Sequence, residues 1–168
     1  MSERRNESRM PIEDLWHWSQ VVYARPGVAE ALIALQDHDG ADVNVLLAAL
    51  WSGARGAERW TDEDLDRILA LSTPWQAHVI GPLRQARRAL KSMPTAEAQR
   101  LREGVKRLEL DAEACVLGAL AAFLFDRPGS GAHHGAANVE RYLDRCSDRT
   151  PAVAARLADL IGAIGRAT

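Results

Sequence analysis

The sequence predicts an all-α protein, folded as a single-domain orthogonal or irregular bundle of seven or eight helices. Apolar residues recur at spacings of three and four along most of the chain, and no run of alternating β-branched residues is bounded by turn residues. The chain has 168 residues, of which 47% are hydrophobic and 26% charged. This size and balance are typical of one globular domain and argue against wholesale disorder.

Three helices are predicted in the first third of the chain. Pro11 suits the first turn of a helix, and Arg25 ends that helix because the residue before a proline avoids helical backbone angles. Pro26 opens the second helix. A turn over residues 37–40 separates it from the third helix, which ends at Gly53.

Two helices of different length are predicted next. Thr61 and Asp64 have the spacing of a capping box, with Asp in place of the usual Glu, and open a short helix that extends through Leu71. Thr73-Pro74 begins the following helix, which runs to about Lys91. Gly81-Pro82 lies inside it and predicts a kink or break, because proline removes a backbone hydrogen bond.

The longest predicted element is a helix over residues 96–125, capped by Pro94-Thr95, which forms the backbone of the bundle. Its apolar residues repeat at alternating spacings of four and three, which predicts a narrow packing seam against a neighbouring helix. The seam comprises Leu101, Val105, Leu108, Ala112, Cys115, Ala119 and Ala122. A mobile glycine-rich loop is expected over residues 127–136, followed by helices over 137–146 and 151–165.

The predicted domain covers residues 10–168, after a disordered tail at residues 1–9. That tail is polar and no apolar segment follows it, so no secretory signal is expected. The longest uncharged apolar run, residues 114–125, is shorter than the ~20 residues that span a bilayer. Cys115 and Cys146 are too few for a disulfide framework. We therefore expect a cytoplasmic protein with no membrane partner.

All five tryptophans lie in the first 75 residues, which should make the first half the better specified part of the core. Trp16 and Trp18 are two residues apart and therefore point about 200° apart on a helix. Both cannot face one core. One is expected in the core, and the other at the rim of a second element or groove.

A cationic helix face is the clearest candidate site. Its residues are spaced at i, i+3, i+4 and i+7 and so share one face: Arg84, Arg87, Arg88 and Lys91. One interpretation is an anion site, in which arginines hold phosphate or carboxylate. The other, which the available acidic residues favour, is internal pairing. The partners would be Glu109 and Glu113, or the aspartates at 37, 39 and 42.

The segment at residues 37–44 (DHDGADVN) contains several oxygen ligands but does not follow the EF-hand pattern. Asp39, Asp42 or Asn44 is expected to cap the third helix rather than to bind metal. Asn44 also lies among leucines, and a buried amide there would need hydrogen-bond partners. No metal site, cofactor or catalytic set is predicted, because no phosphate-binding loop, nucleophile elbow or paired-cysteine motif is present.

Several segments together give the chain a recognisable pattern. They read LWHWS at 15–19, YARPGV at 23–28, LQD at 35–37, DVNVLL at 42–47 and LW at 50–51, then PW at 74–75, PLR at 82–84, RR at 87–88 and LK at 90–91. Over about residues 11–125 the chain resembles a small, mainly proteobacterial helical family, domain of unknown function 2390. In that family segments like ELDAE at 109–113 and NVERYL at 138–143 follow. The resemblance implies a compact helical cytosolic protein and brings no activity, substrate or cofactor.

Two functions remain open from the sequence. The first is a non-enzymatic interaction or adaptor protein with an unidentified protein partner, since tryptophans at a rim and a cationic face occur without a catalytic set. The second is an enzyme that binds a small molecule or anion between the helix at 84–91 and the segment at 37–44. There Arg84 and Arg88 would hold the substrate and Asp42 or Asn44 would polarise it. Nucleic acid is a weaker candidate, given the net charge of −2.

Overall fold

The structure is a computed structural model that describes residues 11–127, 129, 131–148 and 150–165. Within these residues it contains eight α-helices and one π-helical turn. They are α1 (Pro11–Tyr23), α2 (Val28–Asp39), α3 (Val43–Ala54), α4 (Asp62–Trp75), the π-helical turn (Gln76–Ile80), α5 (Gly81–Lys91), α6 (Ala96–Phe125), α7 (Gly135–Cys146) and α8 (Pro151–Gly165). The described residues hold no strand, only an isolated bridge between Ala57 and Gly129. The all-α prediction is confirmed.

Side chains cap the helices that the sequence predicted to be capped. Thr61 and Asp64 form a reciprocal capping box at the start of α4, and Thr95 accepts a hydrogen bond from the amide of Ala98 in α6. At the start of α3 the cap is Asp42, whose carboxylate accepts from the amide of Asn44 at 2.9 Å. The boundaries of α3 and α6 therefore follow from local sequence.

The prediction of a new helix at Thr73-Pro74 is wrong. Pro74 lies inside α4, which continues through the π-helical turn into α5 without a break. The disruption expected at Gly81-Pro82 is this π-helical turn, in which the amide of Gly81 donates to the carbonyl of Gln76, five residues back. Burial of Ile68, Ser72 and Ile80 packs this stretch onto the core and offsets the hydrogen bond that Pro74 loses.

The core is centred on α3. Every residue of this helix from Asn44 to Gly53 is buried, because α1, α2, α4, α6 and α7 surround it. At its end α3 crosses α7 in backbone contact: a Cβ on Gly53 would lie under 3.0 Å from the backbone of Gly135. Only glycine permits this approach, so the crossing depends on Gly53.

The packing seam predicted along α6 is wrong at four of its seven positions, although Ala112 is buried. Leu101 is 59% exposed and Leu108 57% exposed, and Cys115 and Ala122 on the same line are also exposed. The C-terminal half of α6 instead buries Val116, Leu117, Leu120, Ala121 and Leu124. In its N-terminal half the covered face contains Glu109, because α5 packs there through arginines rather than through apolar side chains.

The described residues of the glycine-rich loop contact the turn that follows α3. Gly129 bridges to Ala57, and the amide of Gly131 donates to the carbonyl of Gly56 at 3.3 Å. Arg127, at the start of the loop, pairs with Asp64. The tail predicted at residues 1–9 lies outside the described residues. No helix in the described part of the chain is long and apolar enough to cross a membrane.

Candidate functional site

The cationic face of α5 lies against α6, where two glutamates accept its arginines. Arg84 donates to Glu109 at 2.9 Å and to Glu113 at 3.0 Å. Arg87 donates through Nε to the other oxygen of Glu109 at 2.6 Å. Glu109 is buried and therefore depends on both arginines to satisfy its charge.

The other two cations of this face lie further out. Arg88 is mostly exposed and pairs with Asp37 at 2.9 Å, which links α5 to α2. Lys91 is exposed and has no carboxylate partner among the described residues. No residue of α5 is fully buried. This helix is therefore held in place by these ion pairs together with Leu83, which is partly buried against the core.

Two adjoining cavities, of about 260 and 210 Å³, form one cleft between α1, α2, α5 and α6. We call it the Arg84 cleft, because Arg84 lies where the two cavities meet. Five residues line only the outer part of the cleft: Ile33, Arg87, Arg88, Lys106 and Glu109. Seven line only the inner part: Trp16, Ser19, Gln20, Val43, Asn44, Leu47 and Leu117. The remaining five line both parts: Tyr23, Gln36, Arg84, Leu110 and Glu113. Of the binding residues proposed from the sequence, Arg84, Arg87, Arg88 and Asn44 line the cleft, whereas Asp42 and Lys91 do not.

Asn44 contributes a buried polar group to the inner part of the cleft. The residue is only 4% exposed, and its side-chain amide has no hydrogen-bond partner among the described residues. Its backbone amide alone is used, in the cap of α3. Its side-chain amide is accessible from the cleft and is therefore available to a molecule bound there.

Asp42, which the sequence grouped with Asn44, is instead used within the fold. Its carboxylate accepts from Ser72 and, at 2.7 Å, from Gln76, and its amide donates to the Tyr142 hydroxyl at 2.7 Å. Burial raises the pKa of Asp42 above its ordinary value, although these hydrogen bonds act in the opposite direction. Asp42 lines a third cavity of about 370 Å³, which adjoins the cleft through Gln36 and Arg84.

The pKa values of the two glutamates in the cleft are shifted in opposite directions. Burial favours a higher pKa at Glu109, but the hydrogen bonds from Arg87 and Arg84 outweigh it and lower the pKa. At Glu113 burial outweighs the attraction of Arg84, and the pKa is raised. Burial, together with the nearby Glu113, also raises the pKa of Tyr23. The cleft therefore holds a strongly ionised carboxylate beside one that takes up a proton more readily.

Cations outnumber carboxylates in the outer part of the cleft. Arg84, Arg87, Arg88 and Lys106 line it, against Glu109 and Glu113. Lys106 is exposed and has no carboxylate partner among the described residues. The outer part is therefore suited to an anionic group.

The expectation of one core and one rim tryptophan is not met, because both are partly buried. Trp16 lines the Arg84 cleft, while Trp18 lines a separate pocket. Sequence reasoning missed Tyr23, Gln36 and Lys106 as lining residues. Tyr23 could have been inferred, since it shares a helix face with Trp16, but nothing local marks Gln36 or Lys106.

Among the described residues, no group of three His, Cys, Asp or Glu side chains could hold a metal ion. The ligands that the cleft offers are guanidinium groups, carboxamides, a phenol and two carboxylates. These groups bind and orient a small polar molecule through hydrogen bonds and charge.

Comparison with known proteins identifies the family. No curated protein and no solved structure matches the chain. A family model described as "Protein of unknown function (DUF2390)" matches residues 14–120, which include both glutamates of the cleft and all of α5. Since this match covers more than half of the chain, the protein belongs to the DUF2390 family.

Proposed function

We propose that the protein binds a small anionic molecule in the Arg84 cleft. The single observation that carries this proposal is Asn44, whose side-chain amide is accessible from the cleft and makes no hydrogen bond to the described residues. Among the described residues no group of the fold hydrogen-bonds to this amide, so folding by itself does not require an amide at this position. A bound molecule that hydrogen-bonds to the amide accounts for its presence.

The anionic character of the ligand is inferred from the outer part of the cleft. Arg87 is shared with Glu109 but is only partly buried, and Lys106 has no described partner. An anionic group placed here would meet Lys106 and the outward side of Arg87, while the neutral part of the molecule reaches inward to Asn44. The ligand is thus a molecule with a carboxylate or phosphate at one end and a neutral hydrogen-bonding group at the other.

A thermal-shift screen of small carboxylates and phosphate esters tests this proposal. Each anion is paired with a neutral counterpart, for example succinate with succinamide and AMP with adenosine. We expect at least one anion to raise the melting temperature, because a ligand that binds only the native state stabilises it, and its counterpart to have a smaller effect. If no anion of the panel binds, or if neutral counterparts bind equally well, the proposal is wrong.

Two lysine variants locate the binding. Lys106→Ala removes a cation that lines the cleft, and we expect it to weaken anion binding by about three- to tenfold. Lys91→Ala is the matched control, because Lys91 is also an exposed, unpaired cation of this region but does not line the cleft. Equal losses in the two variants would mean that the anion responds to overall charge and not to the cleft.

We also place the protein in the cytoplasm. The two cysteines, Cys115 and Cys146, are free and exposed, which suits a reducing compartment. Cell fractionation in the source organism tests this location.

An interaction role is a second candidate, supported by a different surface. Leu101 and Leu108 are exposed one above the other on α6, and the basic residues Arg100 and Arg107 flank them. This surface fits an amphipathic helix of a partner protein with acidic residues beside its apolar face. The test is cross-linking with a photoreactive residue in place of Leu108, with and without Leu101→Ser. The interaction role is supported if the protein cross-links to a partner with such a helix and the cross-links are lost on Leu101→Ser. It is contradicted if no cross-link forms, or if the cross-links persist in the Leu101→Ser variant.

A further inference from the structure

We propose a second binding site, for an apolar monocarboxylate, in the pocket that Trp18 lines. The pocket is separate from the Arg84 cleft. It lies between the other side of α1 and the ends of α3, α7 and α8. The inference does not depend on the function proposed for the Arg84 cleft.

The pocket has the size and the surface of a site for a small apolar molecule. Its volume is about 330 Å³, and its largest apolar lining side chains are Trp18, Leu50, Ile161 and Ile164. Gly53 and Gly135 line it where α3 and α7 meet in backbone contact, so no side chain fills that region. A concave apolar surface of this volume accommodates the chain of a small aliphatic acid.

Arg25 supplies the charge. It lies in the turn after α1, lines the pocket, and is partly buried. The structure describes seven partly buried arginines, and in the described residues six of them pair with a carboxylate. These six are Arg84, Arg87, Arg102, Arg127, Arg141 and Arg156. Arg25 is the exception among the seven.

An external carboxylate is the partner that this arginine lacks. None of the described residues that line the pocket is an aspartate or glutamate, so no carboxylate among them competes for Arg25 or repels an anion. His133 also lines it and donates through Nδ1 to the carbonyl of Gly53 at 3.1 Å, which leaves its Nε2 free. A guanidinium group forms two parallel hydrogen bonds with a carboxylate, which suits a single acidic headgroup above an apolar chain.

Isothermal titration calorimetry with octanoate tests the proposal, because octanoate combines one carboxylate with an apolar chain. Two further probes separate these features: 1-octanol keeps the chain without the charge, and acetate keeps the charge without the chain. We expect octanoate to bind, 1-octanol to bind at least about tenfold more weakly, and acetate not to bind. Absence of octanoate binding at millimolar concentration, or equal binding of 1-octanol, would overturn the proposal.

Variants place the binding in this pocket. Arg25→Gln should weaken octanoate binding at least about tenfold, whereas Arg59→Gln, an exposed arginine that does not line the pocket, should leave it unchanged. Ala54→Leu adds bulk at the exposed end of α3 within the pocket and should also weaken binding. Melting curves verify that each variant is folded.

Lys106→Ala distinguishes the two sites, because Lys106 lines only the Arg84 cleft. Octanoate binding that is unchanged by Lys106→Ala and reduced by Arg25→Gln supports a second site. Loss on Lys106→Ala, or full binding to Arg25→Gln, assigns octanoate to another surface and contradicts the inference.

Discussion

Asn44 is the residue at which a role in binding can be separated from a role in stability. Its side-chain amide makes no hydrogen bond to the described residues and is accessible from the cleft, so Asn44→Leu should change the free energy of unfolding by less than about 1 kcal/mol. The same change should abolish anion binding in the Arg84 cleft. Chemical denaturation, together with the thermal-shift assay, measures both effects.

Asn138→Leu is the matched control for this prediction. Asn138 is fully buried: its side-chain oxygen accepts from the amide of Trp60 at 2.9 Å, while its Nδ2 has no partner among the described residues. Removing that acceptor should lower the free energy of unfolding by about 1–2 kcal/mol. If Asn44→Leu destabilises the protein as much as Asn138→Leu does, the amide of Asn44 has a structural role and the proposed function loses its main support.

Gly53 tests the close crossing of α3 and α7. A methyl group there would collide with the backbone of Gly135, which cannot move without separating the two helices, so Gly53→Ala should cost about 2–3 kcal/mol. Gly104→Ala is the control, since Gly104 lies in α6 with open space beside it, and helix propensity there should increase stability by about 0.5–1 kcal/mol. Urea denaturation measures the change in the free energy of unfolding for both variants. Equal changes would contradict the close backbone contact between α3 and α7.

At the scale of elements, α5 is unusual because ion pairs hold it in place. It begins after the π-helical turn and buries no residue fully. Its arginines instead reach Glu109 and Glu113 in α6 and Asp37 in α2. An element attached in this way is sensitive to pH and salt, and it forms one wall of the Arg84 cleft.

Glu109→Gln tests the contribution of these pairs. The arginines hold the pKa of Glu109 below the ordinary value of 4.5, so the native state favours the ionised form more than the unfolded state does. Its stabilising effect is therefore complete above about pH 4.5 and is lost as the pH falls through the native pKa. At pH 7 the variant should lose about 1–3 kcal/mol, and the difference from wild type should shrink towards pH 3.

The comparison with wild type is needed because Asp42 and Glu113 have raised pKa values. Their contribution to the free energy of unfolding therefore increases as the pH falls, which is opposite to the contribution of Glu109. Glu103→Gln is the control on the same helix: Glu103 pairs with Arg102 but is mostly exposed, so little change is expected. Denaturation curves at several pH values measure these differences. A pH-independent loss in Glu109→Gln would contradict the ion-pair account.

At the scale of the whole molecule, stability is distributed unevenly. α3 is buried along nearly its whole length, whereas α5 lies on the outside and depends on charge. Hydrogen exchange followed by mass spectrometry should find the slowest exchange in α3 and much faster exchange in α5. Added NaCl should accelerate exchange in α5 by screening its exposed pairs and leave α3 unchanged. Equal protection of the two helices would contradict this distribution.

Much of the architecture could be inferred from the residues alone. The start of α4 at Thr61, the cap at Asp42 and the limits of α6 depend on local hydrogen bonds and backbone preferences, which act between residues close in sequence. The sequence also predicted Glu109 and Glu113 as candidate ion-pair partners of Arg84, because both the cationic and the acidic residues recur at helical spacing.

Contacts between distant segments decided the rest. The heptad spacing of α6 indicated a seam through Leu101 and Leu108, yet the arginines of α5 cover a different face, and the leucines remain exposed. Pro74 lies within a helix because tertiary burial outweighs its local cost. Within the described part of the chain, the side-chain amide of Asn44 lacks a partner and Arg25 lacks a carboxylate, and both facts depend on which helices meet around these residues. Spacing along a chain specifies which side chains share a face, but only packing specifies what that face contacts.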